Sequence, residues 1–193
     1  MSKPEEVDIA NYEPEQLVEL LSQTSRRTRQ DAAHELGKRV VVDAQSLMPF
    51  VDQVVDALYR PEAQTRWECL FVLSELALIN ADAVGEAVSG AEESLFDEDN
   101  AMVRLNAFRF LARWGLSSEE RAAIAWPLLD EAMQCYHGDS EYQSMLEVMA
   151  EFAAGAASED VKKALVQRVS FDAQNASGYL KTFSARVVTA ASK

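Results

Sequence analysis

Two histidines, two cysteines and several neighbouring carboxylates are the side chains here whose types suit catalysis or metal binding. His34 lies between Ala33 and Glu35 in a helical pattern, with no nucleophile beside it in sequence. Cys135-Tyr136-His137 offers two ligands to a metal ion. A tetrahedral site needs four, and no further Cys or His pair supplies the rest. Cys69 and Cys135 both fall in apolar helical patterns, so they read as buried thiols of a reducing compartment and not as a disulfide. The adjacent acids Glu92-Glu93 and Glu119-Glu120 point to different sides of a helix and do not form acid–base pairs as they stand. A Gly-rich phosphate loop, a Gly-x-Ser-x-Gly elbow and a His-Glu-x-x-His helix are all missing from the sequence. The expectation is a protein that is not an enzyme, with no catalytic residue, metal or cofactor.

What the sequence offers in place of catalysis is a period. Arg29, Arg66 and Arg104 are spaced 37 and 38 residues apart. Three residues after each come Ala32, Cys69 and Ala107; four further on come Leu36, Leu73 and Leu111. These spacings put the small residue and the leucine on one helical stripe. A fixed period of this size predicts stacked helical hairpins.

The positioning elements follow from the same stripes. An initial helix is expected over residues 14–23, opened by Pro14. Four hairpins then pair 25–38 with 44–59, 62–79 with 82–96, 100–114 with 118–135, and 139–154 with 158–170. Ser117 and Glu120 read as a capping box and Ser158 as an N-cap. A last helix is expected over 175–190. The breaks between helices are short, so residues 1–193 read as one domain. Apolar residues make up 48% of the chain, with 7 Gly and 5 Pro, as in a packed helical protein. No apolar run is long enough to span a membrane, and the polar start, Met1 to Glu6, lacks the apolar stretch of a secretory signal. The expected location is the cytoplasm.

The stretch from Leu95 to Leu111, with its acidic turn Asp97-Glu98-Asp99, then Val103-Arg104, then Ala107 and Leu111, resembles a HEAT repeat. Arg66 to Leu73 and Arg29 to Leu36 repeat it more loosely, and Pro49-Phe50-Val51 and Pro127-Leu128-Leu129 resemble the Pro-plus-aliphatic helix entries of that family. The similarity covers roughly residues 25–170. The fourth repeat is the poorest match, offering Glu141 or Tyr142 where the arginine recurs. The resemblance implies an all-α, right-handed, armadillo-like solenoid of four to five antiparallel hairpins, with second helices lining a concave side. It also implies a protein-binding or scaffolding role.

Charge narrows the partner. The chain carries 18 basic and 32 acidic side chains, a net −14. Residues 61–100 hold Arg66 alone against ten acids. Nucleic acid is a poor partner for such a surface, because phosphate neutralisation needs clustered Lys and Arg. The acids Glu86, Glu92, Glu93, Asp97, Glu98 and Asp99 are expected to favour a basic protein segment, with Trp126 and Tyr136 as aromatic contacts. Trp67 and Trp114 read as packing residues. The repeated arginines read as structural, bridging to acids in adjoining turns such as Asp97 or Asp99. Arg26, Arg27, Arg29, Lys38 and Arg39 crowd one helix. They call for compensation by the acidic stretch Glu5 to Glu19 or by head-to-tail contact with another chain's second repeat. Rival readings are an enzyme on the same architecture, of the DNA glycosylase or phycobilin lyase type, and a subunit of a larger complex.

Overall fold

The computed structural model describes residues 9–192. The polar start, and the Glu5 to Asp8 part of the acidic stretch, lie outside the described residues. Ten α-helices and no strand occur among those described. They are α1 (Pro14–Leu20), α2 (Arg26–Asp43), α3 (Val51–Asp56), α4 (Ala63–Ala77), α5 (Ala87–Leu95), α6 (Ala101–Gly115), α7 (Glu119–Cys135), α8 (Tyr142–Ala153), α9 (Glu159–Asn175) and α10 (Gly178–Ala191).

Helix starts are set by side chains that accept orphan backbone N–H groups. Ser25 caps α2, Asn100 caps α6 and Ser158 caps α9. At α7 the cap is Ser118, which accepts from the Arg121 N–H at 3.2 Å. Ser117, expected in that place, turns back and donates to the Trp114 carbonyl at 2.7 Å. The expected continuous helix over 44–59 is three pieces: a 3-10 stretch Ala44–Phe50, α3, and a 3-10 stretch Ala57–Tyr59. Pro49 lies inside the first piece and has no N–H to donate to an α-helical ladder. The helix expected over 82–96 begins only at Ala87, after a series of turns.

The helices form two layers. α2, α4, α6, α8 and α10 pack side by side, and α3, α5, α7 and α9 lie over them, with α1 at the open end. The repeated frame is the core: Ala32, Leu36, Leu73, Ala107 and Leu111 are fully buried, and Cys69 is 1% exposed. Phe108, Phe110 and Phe152 fill the centre. Neighbours in the first layer run along each other, whereas α7 touches α9 only lightly and α5 hardly meets α7. In a stack of hairpins the layer with the closer neighbours lies inside the bend. The first helices therefore line the inner side. The family resemblance had implied the second helices there, from a phase that depends only on where each repeat is taken to begin.

Candidate functional site

The repeated arginines form a ladder between repeats. Arg29 binds Glu62 through two guanidinium nitrogens, with Nε to Oε2 at 3.2 Å. Its Nη1 donates to the carbonyls of Gln23 (2.6 Å) and Thr24 (2.9 Å). Arg66 binds Asp97 at 2.8 Å. Arg104 binds Glu141 with Nε at 2.8 Å and donates to the Asp97 carbonyl at 2.9 Å. Each arginine thus joins its own helix to the start of the next repeat's first helix. In the fourth repeat Tyr142 takes the arginine's place, 2% exposed, while Glu141 beside it closes the ladder.

The acids are tuned by this arrangement. Hydrogen bonding to Arg29 holds the Glu62 carboxyl below its ordinary value, against the opposing effect of burial. Burial works to raise Glu141, but hydrogen bonds from Arg104, its own backbone and Ser140 outweigh it and the net direction is down. Both carboxylates are therefore ionised partners of buried cations and not acids poised for proton transfer.

Two further rows cross the inner face at the same period. Five residues after the repeated arginines stand His34, Phe71 and Arg109; nine after them stand Lys38, Glu75 and Arg113. In α8 the rows continue as Glu147 and Glu151. Arg113 bridges three repeats, bonding Glu75 of α4 and, at 3.0 Å, Glu151 of α8. Arg109 lies over the Phe71 ring, 5.7 Å from its centroid, and donates to the Asn106 side chain at 2.8 Å. Burial, and then the adjacent Arg113, depress the Arg109 pKa. The inner face is consequently of mixed sign and largely self-neutralised. Reading the period at polar as well as apolar positions finds these rows in the sequence.

The two histidines and two cysteines are dispersed over the fold. His34 meets Glu68 at 2.9 Å and His137 meets Asp172 at 2.7 Å, each one repeat away. Burial, and then Glu68, push the Cys69 thiol well up. Cys135 is exposed and not buried as expected, because it is the last residue of α7 and overhangs the core edge. Among the described residues no group of three or more His, Cys, Asp and Glu is arranged to hold a metal.

The expected contact residues are not gathered at one place. Glu86, Glu92 and Glu93 are exposed on and before α5, in the outer layer and away from the inner face. Asp97 is engaged inside the fold: Oδ2 accepts from Arg66, and Oδ1 from the N–H groups of Asp99 and Asn100. A carboxylate with both oxygens committed has little left for a partner, which corrects its assignment as a contact. Tyr136 is half-buried under Arg104, 4.7 Å from guanidinium carbon to ring centroid, and packs near Phe96. It serves the ladder. Trp126 is half-buried and borders an opening of about 360 Å³ between α7 and α9, with Asp130, Ala164, Gln167 and Arg168. Trp114, expected to pack, donates its indole N–H to the Ala81 carbonyl at 3.1 Å.

Four of the five crowded cations of α2 find partners close by, and Arg26 is exposed at the helix start. Arg29 is in the ladder, Arg27 pairs with Asp31, Lys38 with Glu35, and Arg39 donates to the Ala10 carbonyl.

No known family's sequence profile matches the chain, and no curated protein matches it by sequence. Solved structures match it closely in shape. An engineered protein superposes with a TM-score of 0.72 at 19% identity, over 93% of this chain and 79% of that one. A designed armadillo repeat protein, solved with the peptide (KR)4, gives 0.73 at 15% identity, over 91% and 80%. The complex of CpcE and CpcF of phycocyanin lyase from Nostoc sp. PCC7120 gives 0.65 at 19% identity, over 98% and 70%. Likeness at such identities concerns the fold, and the fold is an armadillo-like, all-α helical-repeat solenoid.

Proposed function

We propose that this chain is a non-enzymatic protein-binding scaffold whose second repeat holds a basic segment of a partner. The carrying observation is that Glu86, at the start of α5, and Glu92 and Glu93 within it are exposed and form no ion pair with another described residue. Most acids on the inner face are already tied to cations one repeat away. Free carboxylates on a preformed helix attract a basic ligand at little ordering cost. The designed armadillo repeat protein that carries a (KR)4 peptide supports the idea that this fold suits such a ligand. The contact surface in this reading is the outer layer at α5 with the exposed Glu98 and Asp99 of the turn that follows it, not the inner groove.

The test is affinity capture from the native lysate at low and at moderate salt, with mass spectrometry of what is retained. A protein held in stoichiometric amount, weakened by salt and lost when Glu86, Glu92 and Glu93 are all changed to Lys, supports the reading. Reversal of Glu119 and Glu120 on α7 is the charge control and leaves capture unchanged. Retention indifferent to the α5 reversal, or nucleic acid retained in place of protein, overturns it.

A further inference from the structure

α5 and α7 run side by side in the outer layer, joined at both ends and hardly touching between them. At one end Arg121 of α7 bonds Asp82, in the turns before α5. At the other end the rings of Phe96 and Tyr136, which follow α5 and α7, lie 6.4 Å apart. Between these two tethers the helices leave a cleft.

The phase of each helix fixes what lines it. Arg121, Ile124, Leu128 and Glu131 are spaced by three, four and three residues, so they share one stripe of α7. Arg121 reaches Asp82, and the stripe therefore faces α5. The other side of α7 is turned to α9, where Asp130 accepts from Arg168 at 2.6 and 2.9 Å. On α5, Gly90 is turned away from α7: a Cβ there would fall 3.1 Å from Leu58 of the preceding repeat. Val88 and Glu92 lie two residues either side of Gly90. That is about 200° around the helix, so both face α7.

The two walls match level for level. Counting back from Phe96 and Tyr136, Val88 and Leu128 both lie eight residues away, and Glu92 and Glu131 lie four and five away. Val88 and Leu128 are half-buried, and Ile124, one turn nearer the Arg121 end, is 51% exposed. Glu92 and Glu131 are both exposed and form no ion pair with another described residue. Carboxylates on facing walls repel each other until a cation comes between them. Arg121 is the one basic residue on the two helices, and it is committed to Asp82. Neither helix supplies the neutralising charge.

Building on the basic-segment reading of α5, we propose that the partner's segment is amphipathic and seats in the cleft between α5 and α7. A lysine or arginine enters between Glu92 and Glu131, and an aliphatic side chain about one turn away covers Val88, Ile124 and Leu128. An apolar strip with acidic lips suits a helix laid along it, apolar side down and basic side chains at the margins. A wholly polar basic chain satisfies the acids and leaves the strip in water.

Fluorescence anisotropy with two labelled peptides of equal positive charge tests this. One is (KR)4, the peptide bound by the designed armadillo repeat protein; the other is an amphipathic leucine–lysine peptide. The leucine–lysine peptide is expected to bind at least about tenfold more tightly. Ile124→Ser removes most of that advantage and leaves (KR)4 binding and the melting temperature as they were, since the side chain is exposed. Glu131→Lys weakens the leucine–lysine peptide at least about fivefold. Phe171→Ser, which removes an exposed aromatic on α9, is the control for general adhesion and changes nothing. Equal affinity for the two peptides overturns the cleft and leaves the basic-segment reading standing. So does an advantage indifferent to Ile124→Ser or Glu131→Lys, or one lost equally with Phe171→Ser. No binding of either peptide, or binding untouched by reversal of Glu86, Glu92 and Glu93 to Lys, overturns both.

Discussion

Arg29 and Glu62 show what a repeated residue does energetically. Their side chains are 10% and 5% exposed, so neither charge is hydrated. Removing one partner leaves the other buried and uncompensated, a loss far larger than a surface pair produces. Glu62→Ala is expected to cost about 3 kcal/mol of stability in urea unfolding. Asp82→Ala, which removes an exposed partner of Arg121, is expected to change stability by no more than about 0.5 kcal/mol. Equal losses would remove the distinction. Acid adds a second reading. Because the folded Glu62 carboxyl lies below its ordinary 4.5, its contribution is present above that value and is lost as pH falls through the folded value. The gap between wild type and Glu62→Gln is expected to be full at pH 7 and to close as the solution is acidified below that point. A gap independent of pH would mean the carboxylate charge is not what stabilises.

Among elements, the turns between helices were harder to read than the helices. The stripe Leu70, Leu73 and Ala77 specifies α4 because periodicity is a local property. Where Pro49 interrupts, local signals gave a helix entry and the chain instead runs as 3-10 turns packed under α2 and α4. The turn after α8 is fixed by close approach. A Cβ at Gly155 would fall 2.6 Å from the Leu116 Cβ and 2.7 Å from its carbonyl oxygen, and a backbone atom cannot swing aside as a side-chain tip can. Gly155→Ala is therefore expected to destabilise by about 1–3 kcal/mol, with a visible fall in melting temperature. A neutral result would show that the α8–α9 turn moves freely away from Leu116. Nothing in the sequence marks Gly155 as different from the exposed Gly138, since both simply end helical segments.

For the molecule as a whole, the ladder and the rows make a chain of nearest-neighbour couplings. Nearly every cross-repeat ion pair spans a single repeat, and Arg113, with acids on both sides, is the widest. Stability in such an array is close to a sum of repeat and interface contributions. Glu141→Ala cuts the link from Arg104 into α8. It is expected to speed amide hydrogen exchange in α8, α9 and α10 more than in α2 and α4. A uniform rise across all helices would mean the molecule opens as one unit.

The all-helical architecture, the 37–38-residue period and the buried frame of Ala32, Leu36, Cys69, Leu73, Ala107 and Leu111 were all determined by sequence alone. Helix faces follow from a 3.6-residue period, and burial follows from which faces are apolar, so both are written locally. The tertiary structure decided the rest: which acid each arginine meets, that Asp97 and Tyr136 face inward, and that α5 lies in the outer layer. Each of these depends on how one repeat is set against the next. That offset is fixed by contacts between side chains more than 30 residues apart in sequence, and no local pattern carries it.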